Sequence, residues 1–155
     1  MKRYGPLIVV ADALAVGDPG RNHLRLTPEA VLIRAGVESR GIVPWARIEK
    51  VALDVPTTRF RLPGLVGTVL LGAVTAAMLS DPGIEPEDGA VTLTVDGESS
   101  TLPLSRHHVG GYWAPSVAGA HRLIEHLVDH PEQRALLEHP ERLIDVAARL
   151  ARGAG

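Results

Sequence analysis

From Leu62 to Ser80 the chain runs nineteen residues, LPGLVGTVLLGAVTAAMLS, without one charged side chain. A charge-free apolar stretch of eighteen or more residues is long enough to cross a bilayer, whereas shorter ones usually lie in a core. The stretch therefore poses three readings: a helix packed in the core or at an interface, a helix lying on a membrane surface, and a single membrane span. Its composition weakens the last of these. Pro63, Gly64, Gly67, Thr68, Gly72, Thr75 and Ser80 dilute the strongly apolar residues and leave insertion marginal.

The flanks are electrically unlike. Residues 1–61 carry a local charge of +4 and residues 62–155 a local charge of −6, so the net −2 conceals a two-sided chain. Arg59 and Arg61 immediately precede the run, and positions 81–100 contain no Lys or Arg. In a spanning helix this bias would keep the N-terminal side in the cytoplasm. A chain of 155 residues suits one domain with a single core. Aromatics are only 3%, so that core must be aliphatic. The absence of cysteine removes disulfides, thiol nucleophiles and cysteine-ligated zinc. The small net negative charge argues against nucleic acid as partner, and no secretory leader pattern opens the chain, so a cytoplasmic, possibly membrane-peripheral location is expected.

Periodicity favours strands in the first sixty residues. Pro6 to Val16 reads as one apolar strand, ended by the turn Gly17-Asp18-Pro19-Gly20. Residues 23–26 and 31–34 read as a hairpin across Thr27 to Ala30. Gly36 ends that second strand, Val37 to Val43 forms the next, and Ile48 to Val55 alternates after Pro44-Trp45. Beyond an acidic connector, Ala90 to Val95 and Ser100 to Leu104 flank Asp96-Gly97, a favoured tight-hairpin pair. The count is about seven strands. A helix then begins near Trp113, with Ser116 as its cap and Val117, Ala120, Ile124, Leu127 and Val128 on one stripe. Pro131 and Pro140 open two more helical segments in a C-terminal extension over residues 131–152.

Strands in this order, with "LTPEAVLIRAG" (Leu26 to Gly36), then "IVPWARIEKV" (Ile42 to Val51) and a closing helix, resemble the bacterial pleckstrin-homology-like (PH-like) domains. The likeness is close over residues 22–55 and extends to residues 90–129 in element order. It implies an α+β fold: an antiparallel sheet or partly open barrel, with the apolar run as a helical insert between the fifth and sixth strands. It also implies a non-enzymatic binding or scaffolding module, often near membranes, with no shared catalytic constellation and no transferable ligand residue.

Two function classes follow. In the preferred one the insert mediates self-association into a homo-oligomer, docking of a protein partner or contact with a membrane surface. Its contact residues are Leu65, Val66, Val69, Leu70, Val74 and Leu79, with Arg59 and Arg61 at the rim. The other is a small-molecule binder or enzyme with a pocket by Arg106, His107, His108, Tyr112 and Trp113, a dense group of chemically able side chains beside Gly110-Gly111. Two histidine pairs on the helix, His121/Glu125 and His126/His130, have the one-turn spacing of zinc ligands. They point about 140° apart, however, so one ion would meet only one pair. No metal, cofactor or catalytic residue is expected.

Overall fold

Hydrogen-bond pairing divides the strands differently from their sequence signals. The computed structural model describes residues 2–11, 13–58, 89–106 and 111–153. A six-stranded antiparallel meander comprises β1 (Arg3–Tyr4), β2 (Leu7–Val10), β3 (Ala13–Gly17), β4 (Asn22–Leu26), β5 (Ala30–Ala35) and β6 (Glu38–Pro44). A 3-10 turn at Trp45–Arg47 leads into β7 (Ile48–Asp54), which joins β9 (Gly89–Val95) and β10 (Glu98–Leu104) in a three-stranded sheet of order β10-β9-β7. Two short strands, β8 (Thr57–Thr58) and β11 (Tyr112–Trp113), pair in parallel. Helix α1 (Ala114–Asp129), a 3-10 segment (Pro131–Glu138) and helix α2 (Pro140–Arg152) complete the α+β fold.

The single strand expected from Pro6 to Val16 is thus a hairpin, with Val10 paired to Ala13. Its turn holds Ala11 at φ 50, where a residue type that signals turns would normally stand. Both strands are almost wholly buried, so they read as one continuous apolar run and hide the turn between them. By contrast, Asp96 and Gly97 take φ 52 and 83, the turn expected of that pair, and Val95 faces Glu98 across it. At the start of α1 the cap is Trp113 rather than Ser116. Pro115 fits the first turn because its missing N–H has no intrahelical partner there, and the Ser116 hydroxyl donates to the Trp113 carbonyl at 2.6 Å.

The antiparallel sheet or partly open barrel of about seven strands expected above takes the form of a six-stranded and a three-stranded antiparallel sheet beside a two-stranded parallel pair, and the described residues contain no closed barrel. The helical pair lies where closure would occur. Helix α1 packs on β7, α2 packs on β1, β2 and β3, and the two helices pack on each other. His121 on α1 places Nε2 3.1 Å from the Val51 carbonyl of β7, engaging a polar group of that edge strand. One core unites these layers, with Leu7, Leu14, Leu24, Trp45, Val51, Val91, Leu127 and Leu143 among its members. The open edges are blunted against further pairing. β6 bulges at Arg40, between Gly41 paired to Ile33 and Ser39 paired to Arg34, and β10 carries Pro103.

Candidate functional site

The apolar run leaves and re-enters the described body at neighbouring points. Asp54 at the end of β7 pairs with Ala90 in β9, and Gly89 pairs with Leu104 at the end of β10. At Gly89 the backbones are too close for a side chain, since a Cβ would lie 2.8 Å from the Asp54 carbonyl oxygen. Just beyond, the Tyr112 N–H donates to the Pro56 carbonyl at 2.8 Å, and a Cβ on Gly111 would lie 2.9 Å from the Thr57 carbonyl carbon. Residues 58, 89, 106 and 111 therefore surround one end of the three-stranded sheet.

Turns of the larger sheet adjoin that end. Ser105 donates its N–H to the Asn22 carbonyl at 2.9 Å and accepts from the Asp18 N–H at 2.8 Å, joining β10 to the β3–β4 turn. Gly17 donates to the Pro6 carbonyl at 2.9 Å, and Gly36 donates to the Arg21 carbonyl at 2.6 Å. This brings the β5–β6 turn alongside. That turn carries Val37, which the sequence pattern makes the first residue of a strand. Instead it precedes β6 and is 90% exposed, a large apolar side chain at a turn tip. The Arg34 guanidinium donates to its carbonyl at 2.7 Å.

The contact residues expected on the run, Leu65, Val66, Val69, Leu70, Val74 and Leu79, lie outside the described residues, as do Arg59, Arg61, His107 and His108. Of the alternative pocket, Arg106 is buried at 9% exposure, Tyr112 sits in the core at 2%, and Trp113 is half-buried. A cleft of about 400 Å³ lies at the opposite end, between Val9 and Ala11 and the start of α2 at His139 to Arg142. It includes none of the expected residues. The helical histidines serve locally. His121 is 3.8 Å from Glu125, while the His126 and His130 rings stack at 4.1 Å and His130 Nδ1 meets the His126 carbonyl at 3.0 Å. Among the described residues no three His, Cys, Asp or Glu side chains gather as metal ligands.

His23 on β4 is a buried titratable group beside the β3–β4 turn. It is 5% exposed, with Nδ1 3.1 Å from the Arg21 carbonyl. Burial pushes its imidazole below the ordinary histidine value, aided by Arg34 and Arg25 and opposed by the Arg21 hydrogen bond and Asp18. Because folding favours the neutral ring, the unfolded chain binds more protons below pH ~6.5. Stability is then complete above that pH and declines as the solution is acidified through the folded value. Urea midpoints taken from pH 7.5 down to 5 should fall for the native chain and fall less for His23→Gln, and equal slopes would remove His23 as the cause.

No protein-family model, curated protein or solved structure matches this chain.

Proposed function

We propose that this protein is a non-enzymatic binding or assembly module of PH-like type, using the apolar segment 62–80 as its contact element. Adjacency of β7 and β9 is the observation that carries this reading: a long apolar excursion is set into a single hairpin connection, at one end of a body whose described residues share one core. The two antiparallel sheets followed by a helix support the PH-like part of the reading.

A single bilayer crossing between Thr58 and Gly89 is poorly compatible with this pairing. It would put the two ends on opposite sides of a hydrocarbon layer about 30 Å thick, whereas they continue from neighbouring hydrogen-bonded strands. Returning to the same side would take Asp81, Glu85, Glu87 and Asp88 back through lipid, at several kcal/mol for each charge. Among the described residues, no helix is long and apolar enough to cross a membrane. Contact with a partner, a second copy or a membrane surface is consistent with both ends on one side.

Leu70→Asp together with Val74→Asp tests the proposal. Each apolar side chain buried in a contact contributes about 1.5–3 kcal/mol, so the double variant should weaken self-association or membrane recovery by at least about 100-fold. Far-UV circular dichroism should be unchanged. Unfolding of the whole domain would instead assign the run to the core. The pocket reading has its own test by thermal shift against a ligand set: a response in the native chain that His107→Ala/His108→Ala abolishes would favour it over the contact reading.

A further inference from the structure

We propose that the outer face of the six-stranded sheet, over β2, β3 and β4, is the seat of the chain's own apolar segment 62–80. The inference stands apart from the contact-module reading. Combined with it, the segment becomes available to a partner or a membrane only by leaving the sheet.

Strand register separates the two faces. Leu7, Val16, Leu24 and Ile33 stand in one row across the sheet, and Val9, Leu14, Leu26 and Val31 in another. Seven of these belong to the core cluster and Ile33 packs against it, together with Leu137, Leu143, Ile144 and Ala147 of the C-terminal extension. Alternate residues point the other way. Ile8, Ala15, Arg25 and Leu32 form one outer row, and Gly17, His23 and Arg34 the next.

This outer face is nevertheless closed to solvent. Ile8 is 6% exposed, Ala13 4%, Ala15 1% and His23 5%, and none of the four belongs to the core cluster. β3 is buried at all five positions. A strand covered on one side alternates between buried and exposed residues, whereas one buried throughout lies between two layers. The helices and the second sheet supply the inner layer. The outer layer comes from chain outside the described residues, which comprises residues 1, 12, 59–88, 107–110 and 154–155. Only 59–88 is long enough to cover three strands. The cover stops before β6, because Ile42, paired with Leu32 in the same outer row, is 64% exposed.

Reach and charge agree with this occupant. Gly89 re-enters the body paired with Leu104, and a Cβ on Gly17, at the end of the outer face, would lie 3.0 Å from the Leu104 side chain. Residues 81–88 extend up to about 26 Å, against about 7 Å along β3 from Gly17 to Ala15. The outer rows carry Arg25 and Arg34, with Arg3 beside Ile8, and no carboxylate. Asp18 and Glu38 stand at the adjoining turns, Glu38 paired with Arg40. Residues 59–88 set Asp81, Glu85, Glu87 and Asp88 against Arg59 and Arg61, an excess of negative charge. The outer face of a second copy would instead bring arginines against arginines.

Because the chain has no cysteine, one introduced thiol reports on this face. With a maleimide reagent, Ile8→Cys in the full chain should label at least about tenfold more slowly than Ile42→Cys. Replacing residues 62–80 by a Gly-Ser linker, or combining Leu70→Asp with Val74→Asp, should raise the Ile8→Cys rate to that of Ile42→Cys, with far-UV circular dichroism unchanged. A second measurement does not depend on how those variants fold. Ile8→Cys combined in turn with Val66→Cys, Leu70→Cys or Val74→Cys should close a disulfide within one chain in at least one pair. Equal labelling of the two thiols in the otherwise native chain overturns the proposal. So does protection of Ile8→Cys that persists in the folded linker variant, or closure of no pair. A disulfide joining two copies overturns it as well, but leaves the contact reading standing. Protection lost in the Leu70→Asp/Val74→Asp variant, with self-association and membrane recovery unchanged, keeps the seat on the sheet and removes the contact reading.

Discussion

Replacing Trp45 by alanine is expected to destabilise the fold by about 3–5 kcal/mol, the range for emptying a buried Trp or Phe site. The indole stands at the corner between the two sheets, 1% exposed, where β6 hands the chain to β7. Its Nε1–H donates to the Thr27 carbonyl at 2.6 Å, and the Arg134 guanidinium lies 5.3 Å from the ring centroid. Arg134 in turn donates to the Leu127 and Val128 carbonyls at 2.8 and 2.9 Å, occupying orphan acceptors at the end of α1. One side chain thus ties the β4–β5 turn, the sheet corner and the C-terminal extension together. Its loss leaves a cavity, an unanswered carbonyl and an arginine without its aromatic face. Native domains are stable by only about 5–15 kcal/mol, so the variant should melt about 10 °C lower or more. Trp45→Phe keeps most of the volume and loses the hydrogen bond, so it should cost clearly less. A double-mutant cycle with Arg134→Ala should show positive coupling, and strict additivity would dissociate the corner from the extension.

Gly119→Ala should also destabilise, although alanine is the better helix former by up to about 1 kcal/mol. The crossing of α1 over α2 leaves no room: a Cβ at this position would lie 2.5 Å from the Ala147 carbonyl oxygen and 3.0 Å from the Ala151 Cβ. The nearer obstacle is backbone, so relief requires moving α2 rather than turning a side chain. Overpacking of this kind costs about 1–3 kcal/mol, which outweighs the propensity gain. Gly119→Leu should go further and free α2 from the body. The measurements are urea unfolding of both variants and amide exchange across residues 140–152. A more stable Gly119→Ala protein would mean that the helices do not approach this closely.

Both positions show the limits of reading along the chain. Trp45 stands out in an aromatic-poor sequence, but nothing near it in sequence indicates Arg134, eighty-nine positions away. Gly119 reads as a mild helix defect until α2 is seen to cross it. Of the candidate site, Arg59 and Arg61 beside the apolar run are visible as sequence features, whereas Val37 is hidden because its aliphatic side chain reads as the first residue of the next strand. The hairpin at Ala11 is hidden because both its strands are buried and the positive φ of its turn falls on an alanine.

Local chemistry determined what the sequence by itself could specify: the Asp96-Gly97 hairpin, the stop at Gly36, the helix starts at Pro131 and Pro140, and the apolar stripe of α1. These follow from backbone angles and side-chain periodicity within a few residues. Tertiary structure alone decided that the antiparallel strands divide into a six-stranded and a three-stranded sheet, and that β7 and β9, expected in one sheet across the apolar segment, are direct neighbours in it. Such pairings join residues far apart in the chain, and their free energy lies in hydrogen bonds and buried surface that exist only once the partners are together.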